Sequence, residues 1–224
     1  VKYRLVVVTH GGDENTEMLL NTLASFEEMV HPKPTERVLI EDGARKVSME
    51  HWRGGRLWSE VPQGFCKTAE MAWMAVAVPG CEWSFWLEHD FAFRRPVNLE
   101  DLVEVMVEEP ALAQISLMRQ PCNMEEILAG GVVAMTPEAF VPRITSSKRT
   151  ERERFLWLEH ARYFTTNPSL IRREIAVAHE WPVAKRECEG HHSISLREAG
   201  YSFGIWGEGE PWVEHLGERT GFGY

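Results

Sequence analysis

The chain contains no apolar run near the roughly 18 residues that a membrane-spanning helix needs. Its longest nearly apolar stretch, Met71–Val78, is far too short. Cysteine is scarce: Cys66, Cys81, Cys122 and Cys188 are the only 4, widely spaced and without a C-x-x-C pair. That spacing excludes a zinc ribbon and a dithiol redox motif. We read the four as reduced thiols of a cytoplasmic protein, at least half of them plain core residues. Basic residues are outnumbered, 24 Lys+Arg against 34 Asp+Glu, for a net charge of −10. A chain of that balance is not a general binder of phosphate backbones, although a local basic patch stays open. Internal repeats and low-complexity segments are absent, and Val1-Lys2-Tyr3-Arg4 leads straight into an apolar strand rather than a signal-peptide pattern.

What is present is an ordinary globular composition, 44% hydrophobic and 26% charged over 224 residues, which is enough for one domain with a real core. Short apolar runs alternate with helical patterns. Strands are predicted at Arg4–Val8, Arg37–Glu41, Trp83–Leu87, Ala113–Leu117, Gly131–Met135 and Tyr201–Trp206. Helices are predicted at Glu14–Val30, with Leu19, Leu23, Phe26 and Val30 on one face, at Phe65–Val78, from the Asn98 cap to Glu109, from Thr136-Pro137, at Arg152–Tyr163 and at Ser193–Ala199. Residues 44 to 63 read as a polar, Gly-rich loop. The β–α–β order predicts an α/β fold: a single Rossmann-like domain with a mainly parallel central sheet flanked by helices.

The chemistry sits at strand ends. The run Trp83-Ser84-Phe85-Trp86-Leu87 delivers Glu88, His89 and Asp90 at its carboxyl end, where open α/β sheets bind ligands. Carboxylates emerging from a core strand need a partner. A divalent cation with oxygen ligands is one such partner, and a simple turn cap at Asp90 is the alternative. The second strand ends in Glu41-Asp42-Gly43, and the first in Thr9-His10-Gly11-Gly12. The former can accept hydrogen bonds from a ribose or base, or it can be an ordinary Asp-Gly turn. The latter allows a ligand to approach backbone closely.

Together these segments resemble nucleotide-sugar-dependent glycosyltransferases of the GT-A fold, close to the family-2-like enzymes. Val6–Thr9 resembles the opening strand, Ile40–Gly43 the acidic turn of the second strand, and Glu88-His89-Asp90 the D-x-D metal motif with Glu in the first place. Val213-Glu214-His215-Leu216-Gly217 resembles the segment whose histidine completes the metal site. Glu189, in Glu187-Cys188-Glu189-Gly190-His191-His192, lies where such enzymes carry a base. The resemblance implies an inverting transfer from a nucleoside diphosphate sugar, a UDP-sugar first, to a hydroxyl acceptor, with Mn²⁺ or Mg²⁺ held by Asp90 and His215. It implies nucleotide contacts at Thr9, His10, Glu41, Asp42, Lys67, Glu88 and His89. Donor or acceptor contacts are expected at Gly130, Gly131 and Trp206. Residues 1–95 would form the nucleotide-binding half, and 96–224 the acceptor half with the C-terminal metal ligand.

Two other readings share these residues. A nucleotidyltransferase would use a nucleoside triphosphate on the same fold, though the sequence has no basic Gly-rich phosphate loop near its start. A non-catalytic sugar- or nucleotide-binding module would use tryptophans as its platform; of nine, Trp52, Trp58, Trp181, Trp206 and Trp212 fall in or near loops and strand ends, whereas Trp73, Trp83 and Trp86 fit the core. Cys188 and His191 are three apart, but no second pair matches them as a zinc site. The acceptor class stays open from polysaccharide to a modified DNA base, the latter through Lys148, Arg149, Arg152, Arg154, Arg172 and Arg173.

Overall fold

In the computed structural model, residues 1–10, 13–43, 52–59, 61–148, 154–182, 186–207 and 209–217 are described. In chain order the elements are β1 (Tyr3–His10), α1 (Asp13–Met29), β2 (Val30–His31), β3 (Glu36–Asp42), β4 (Gly55–Ser59), α2 (Phe65–Ala77), β5 (Trp83–Glu88), β6 (Phe91–Phe93), β7 (Val97–Asn98) and α3 (Leu99–Glu108). They continue with β8 (Leu112–Leu117), α4 (Met124–Ala129), α5 (Val132–Met135), β9 (Phe140–Ser146), β10 (Arg154–His160), β11 (Ser169–Arg172), α6 (Arg173–Ala178), α7 (Cys188–Glu198), β12 (Ser202–Trp206) and β13 (Val213–His215).

The first half follows the β–α–β expectation. β1, buried along nearly its whole length, pairs parallel with β3 on one side and β5 on the other. α1 buries Leu19 and Phe26 toward the sheet, as its helical spacing predicts. α2 packs Ala69, Ala72, Trp73 and Val76 against the opposite face. The Asn98 side chain caps α3 by accepting from the Glu100 N–H.

The sheet as a whole is mixed, which corrects the mainly parallel expectation. Among the described residues its nine strands run β4-β3-β1-β5-β11-β8-β12-β10-β9. β11 lies antiparallel between β5 and β8, and β10 lies antiparallel between β12 and β9. No helix lies between β9 and β10 in the described chain, so these neighbours pair as an antiparallel couple rather than through a crossover.

Three element assignments are corrected. Arg154–His160 is a strand, not the core of a helix: Phe155 and Trp157 are buried while Leu156 is 42% exposed, an alternation of period two that gives way to burial on both faces at Leu158 and His160. Val132–Met135 is a single helical turn rather than a strand, because Gly130 closes α4 in the left-handed region (φ 88°) and Gly131 (φ 119°) opens α5. Gly55–Ser59, inside the expected loop, adds an edge strand parallel to β3.

The cysteines are also corrected. Cys66, at the start of α2, and Cys188, at the start of α7, are joined in a disulfide with a Cα–Cα distance of 5.6 Å across 122 residues of sequence. Two helix N-termini remote in sequence converge here, which spacing alone does not reveal. Cys81 is a buried free thiol and Cys122 a half-buried one. The cytoplasmic expectation thus loses the reduced-thiol argument on which it rested. No helix among the described residues is long and apolar enough to cross a membrane.

Candidate functional site

The parallel register brings the ends of β1, β3 and β5 to one edge of the sheet. His10 lies opposite Asp42, and Val8 opposite Glu88. A small cleft opens there, lined by Thr9, His10, Glu88, His89 and Asp90, with Val8, Phe65 and Thr68 completing the wall. Phe65 and Thr68 carry no motif in the sequence; they arrive because α2 starts beside the strand ends.

At the end of β3 both acidic residues are buried and engaged by the protein. Glu41 is 0% exposed and forms a two-pronged ion pair with Arg56 of β4, Arg56 Nη2 donating to Oε1 over 2.7 Å and Nε donating to Oε2. Asp42 accepts the N–H of Gln63 (2.6 Å) and of Gly64 (2.8 Å), fixing the segment that enters α2. Neither carboxylate lines the cleft itself; Asp42 anchors the segment that leads into Phe65 and Thr68 of its wall.

The end of β5 differs. Asp90 is 5% exposed; its Oδ2 accepts from His215 Nε2 at 3.0 Å, while its Oδ1 is buried with no hydrogen-bond partner among the described residues. His215 comes from β13, which pairs with β6 so that His215 lies opposite Phe91. The Leu216 N–H donates to the Asp90 carbonyl over 2.6 Å. A Cβ on Gly217 would stand 2.5 Å from Asp90 Oδ2 and 3.2 Å from His215 Cε1, so glycine is what lets the backbone approach. The sequence thus puts Asp90 and His215, 125 positions apart, into direct contact.

Electrostatics set the protonation states. Burial pulls His89 below the ordinary imidazole range, partly offset by Asp90. His10 is lowered the same way, with Asp42 and Asp90 opposing. Their rings meet edge to face at 5.8 Å. Burial pushes the Asp90 carboxyl up, but the hydrogen bond from His215 and the fields of His89 and His215 outweigh it, and the group is held below its ordinary value. The pair is therefore an anionic oxygen cluster beside an imidazole. Hard divalent cations accept such donors. No group of three His, Cys, Asp or Glu side chains among the described residues is arranged to hold a metal ion by itself. A cation here would take Asp90 and His215 from the protein and its other ligands from substrate and water.

The other candidates are distributed more widely. Lys67 is exposed on α2 and paired with Glu70 at 2.6 Å, outside the cleft lining. Glu189 lies in the first turn of α7, where its Oε1 accepts both the N–H (2.7 Å) and the hydroxyl (2.9 Å) of Thr166. The disulfide at the neighbouring Cys188 ties this turn to the start of α2, which lines the cleft; it also removes Cys188 as a zinc ligand. Glu187 is exposed, at a positive φ of 55°. Gly130 and Gly131 form the α4–α5 turn. Trp206 is 6% exposed and packs on Phe155, and Trp181 is 4% exposed, so neither offers a free face for stacking. Arg149 and Arg152 lie outside the described residues, as do Gly11 and Gly12. Lys148 pairs with Glu108, and Arg172 stacks over Trp83, so these two basic side chains are already engaged by the protein.

No protein-family model matches the chain, and no curated protein matches it. Solved structures do. One is GalNAc-T7 with UDP, GalNAc and Mn²⁺, at a TM-score of 0.60 and 12% identity, covering 100% of this chain and 45% of that one. Another is the mannosyltransferase PcManGT from Pyrobaculum calidifontis in complex with GDP-Man and Mn²⁺, at a TM-score of 0.60 and 13% identity, covering 97% of this chain and 58% of that one. The fold is that of GT-A-type glycosyltransferases. The chain spans about half the length of these structures. At such identity the likeness concerns the fold, and the chemistry has to be argued from the site.

Proposed function

We propose that the chain is a metal-dependent, family-2-like glycosyltransferase that moves a sugar from a nucleoside diphosphate sugar, a UDP-sugar first, to a hydroxyl acceptor with inversion. The observation that carries this reading is the buried, unpartnered Oδ1 of Asp90 beside His215, at the carboxyl edge of three parallel strands. A buried carboxylate oxygen with no donor calls for a cation. Asp90 and His215 would hold Mn²⁺ or Mg²⁺, with Glu88 assisting. When bound, the ion offsets the negative charge that develops on the departing diphosphate. The occupancy of GalNAc-T7 by UDP and Mn²⁺, and of the mannosyltransferase by GDP-Man and Mn²⁺, supports this assignment.

The remaining roles extend this reading. Thr9 and His10 border the nucleoside, and Asp42 shapes the wall beside it by holding Gln63 and Gly64. Glu189, oriented by Thr166, takes the proton of the acceptor hydroxyl as that oxygen attacks. Attack by the acceptor itself, without a covalent sugar–enzyme intermediate, inverts the anomeric centre. Titration calorimetry of UDP and GDP with and without Mn²⁺ tests the reading. One nucleotide binds in a Mn²⁺-dependent way, and Asp90→Ala removes that dependence. Failure of both nucleotides to bind, or an unaltered Asp90→Ala, overturns it. Donor hydrolysis during long incubation separates an enzyme from a binding module.

A further inference from the structure

The side chain that decides where His215 stands is not in any motif. Gln120 lies just past β8, half-buried, and its amide grips both backbone groups of His215. The His215 N–H donates to Gln120 Oε1 at 2.9 Å, and Gln120 Nε2 donates to the His215 carbonyl at 3.0 Å. The two bonds fix the amide orientation, since one end must accept and the other donate. The side chain thus extends to His215 the backbone bridge that Arg119 makes to Val213, on the side of β13 opposite its pairing with β6.

Gln120 is itself held from behind. Arg119 Nη1 donates to the Gln120 carbonyl at 2.9 Å, and the Arg119 guanidinium grips Glu126 with both nitrogens, at 2.7 and 2.9 Å. That pair is nearly buried, with side-chain exposures of 10% and 7%. The Glu126 carboxyl also accepts the Cys122 N–H, and Asn123 caps α4 at the Glu126 N–H. Upstream, the N–H groups of Trp212 and Val213 donate to the Met118 carbonyl. The segment from Met118 to Glu126 therefore forms a rigid bracket, and Gln120 is the tooth that meets β13.

We infer that Gln120 is a positioning residue that presets the His215 imidazole against Asp90 for cation binding. The inference rests on the metal reading above. Partners that orient a ligand commonly cost 10–100-fold in metal affinity when removed. The effect should reach the metal through His215 and should leave contacts that do not use His215 intact.

The experiment measures Mn²⁺ affinity by calorimetry with UDP or GDP present, nucleotide affinity without metal, and the thermal midpoint, for the full chain. Gln120→Met keeps the length and removes both hydrogen bonds; it weakens Mn²⁺ binding about 10–100-fold and changes metal-free nucleotide binding less than about twofold. In an His215→Ala background the same substitution adds no further loss, because the two act as a unit. Gln120→Glu keeps the acceptor for the His215 N–H and loses the donor, so it falls between, and it carries the test if Gln120→Met does not fold. Mn²⁺ affinity within twofold of wild type in the folded variant, while Asp90→Ala abolishes binding, overturns the inference and leaves the metal reading standing. A wild-type chain that binds no Mn²⁺ overturns both, and in that case the fault lies with the metal reading. A full additional loss in the His215→Ala background also overturns it, since Gln120 would then act by another route.

Discussion

The acidic ends of β3 and β5 look alike in sequence and differ in structure. Each is a buried strand that emerges into carboxylates and a turn. At β3 the protein supplies every main partner: Arg56 for Glu41, and the backbone amides of Gln63 and Gly64 for Asp42. At β5, Asp90 has His215 for one oxygen and nothing among the described residues for the other. On the proposed reading, the carboxylates completed by their own chain support the wall, whereas the one left incomplete is where a cation is taken. What separates the two is satisfaction of hydrogen-bonding capacity, which depends on residues far away in sequence.

The largest expected effect tests the incomplete end. Asp90→Asn keeps size and removes the charge. Mn²⁺ affinity in the presence of nucleotide falls more than about 100-fold, while unfolding free energy changes by less than about 1 kcal/mol, because the desolvation cost of a poorly satisfied carboxylate disappears with it. Calorimetry and urea denaturation read the two quantities. A large stability loss with retained Mn²⁺ binding would make β5 a second structural end and erase the contrast.

A pH series separates the strand ends from the core behind them. His192 is 0% exposed in a box of Trp73, Phe164 and Trp181, with ring distances of 4.4, 5.0 and 4.5 Å. Burial lowers its pKa to about 3, and burial together with Arg162 lowers that of His160 to about 4. In the unfolded chain both imidazoles take up a proton near pH 6.5. Unfolding is thus favoured as pH falls below 6.5, and stability declines progressively until about pH 3 to 4. His192→Phe removes most of its share of that acid sensitivity; denaturant midpoints at pH 7, 5 and 4 check it. If the acid loss persists undiminished in His192→Phe and vanishes in Asp90→Asn, it belongs to the site instead.

The parts legible in the sequence are those in which a local pattern determines the outcome. The continuous apolar runs of β1 and β5, the Asn98 cap and the helical stripe of α1 all carried their structure on their face. The parts that were not legible depend on tertiary partners. Arg154–His160 followed a charged helical-looking lead-in, and only pairing with β9 and β12 on both sides makes it a strand. Trp181 and Trp206 looked available for stacking because they flank loops, and the core took them. That Asp90 and His215 meet was legible through the resemblance to known transferases; the disulfide and Gln120 were not, since neither a lone cysteine nor a lone glutamine signals its partner.

Two smaller effects test the completed end. Glu41→Ala removes the two-pronged ion pair to Arg56, but Arg56 is 28% exposed and can rehydrate, so the loss sits at or below the low end for a broken buried pair, about 2–3 kcal/mol. Asp42→Asn is smaller still. The carboxylate now serves two backbone amides with two oxygens, and an amide side chain has only one oxygen to offer. One of Gln63 and Gly64 then turns to water, at a cost of about 1 kcal/mol. Because Asp42 works on the wall rather than on a cation, Mn²⁺ affinity in the variant stays within about twofold of wild type by calorimetry. Were Asp42→Asn to abolish nucleotide or Mn²⁺ binding with stability untouched, the end of β3 would be as incomplete as the end of β5, and counting protein partners would fail to tell a wall from a ligand site.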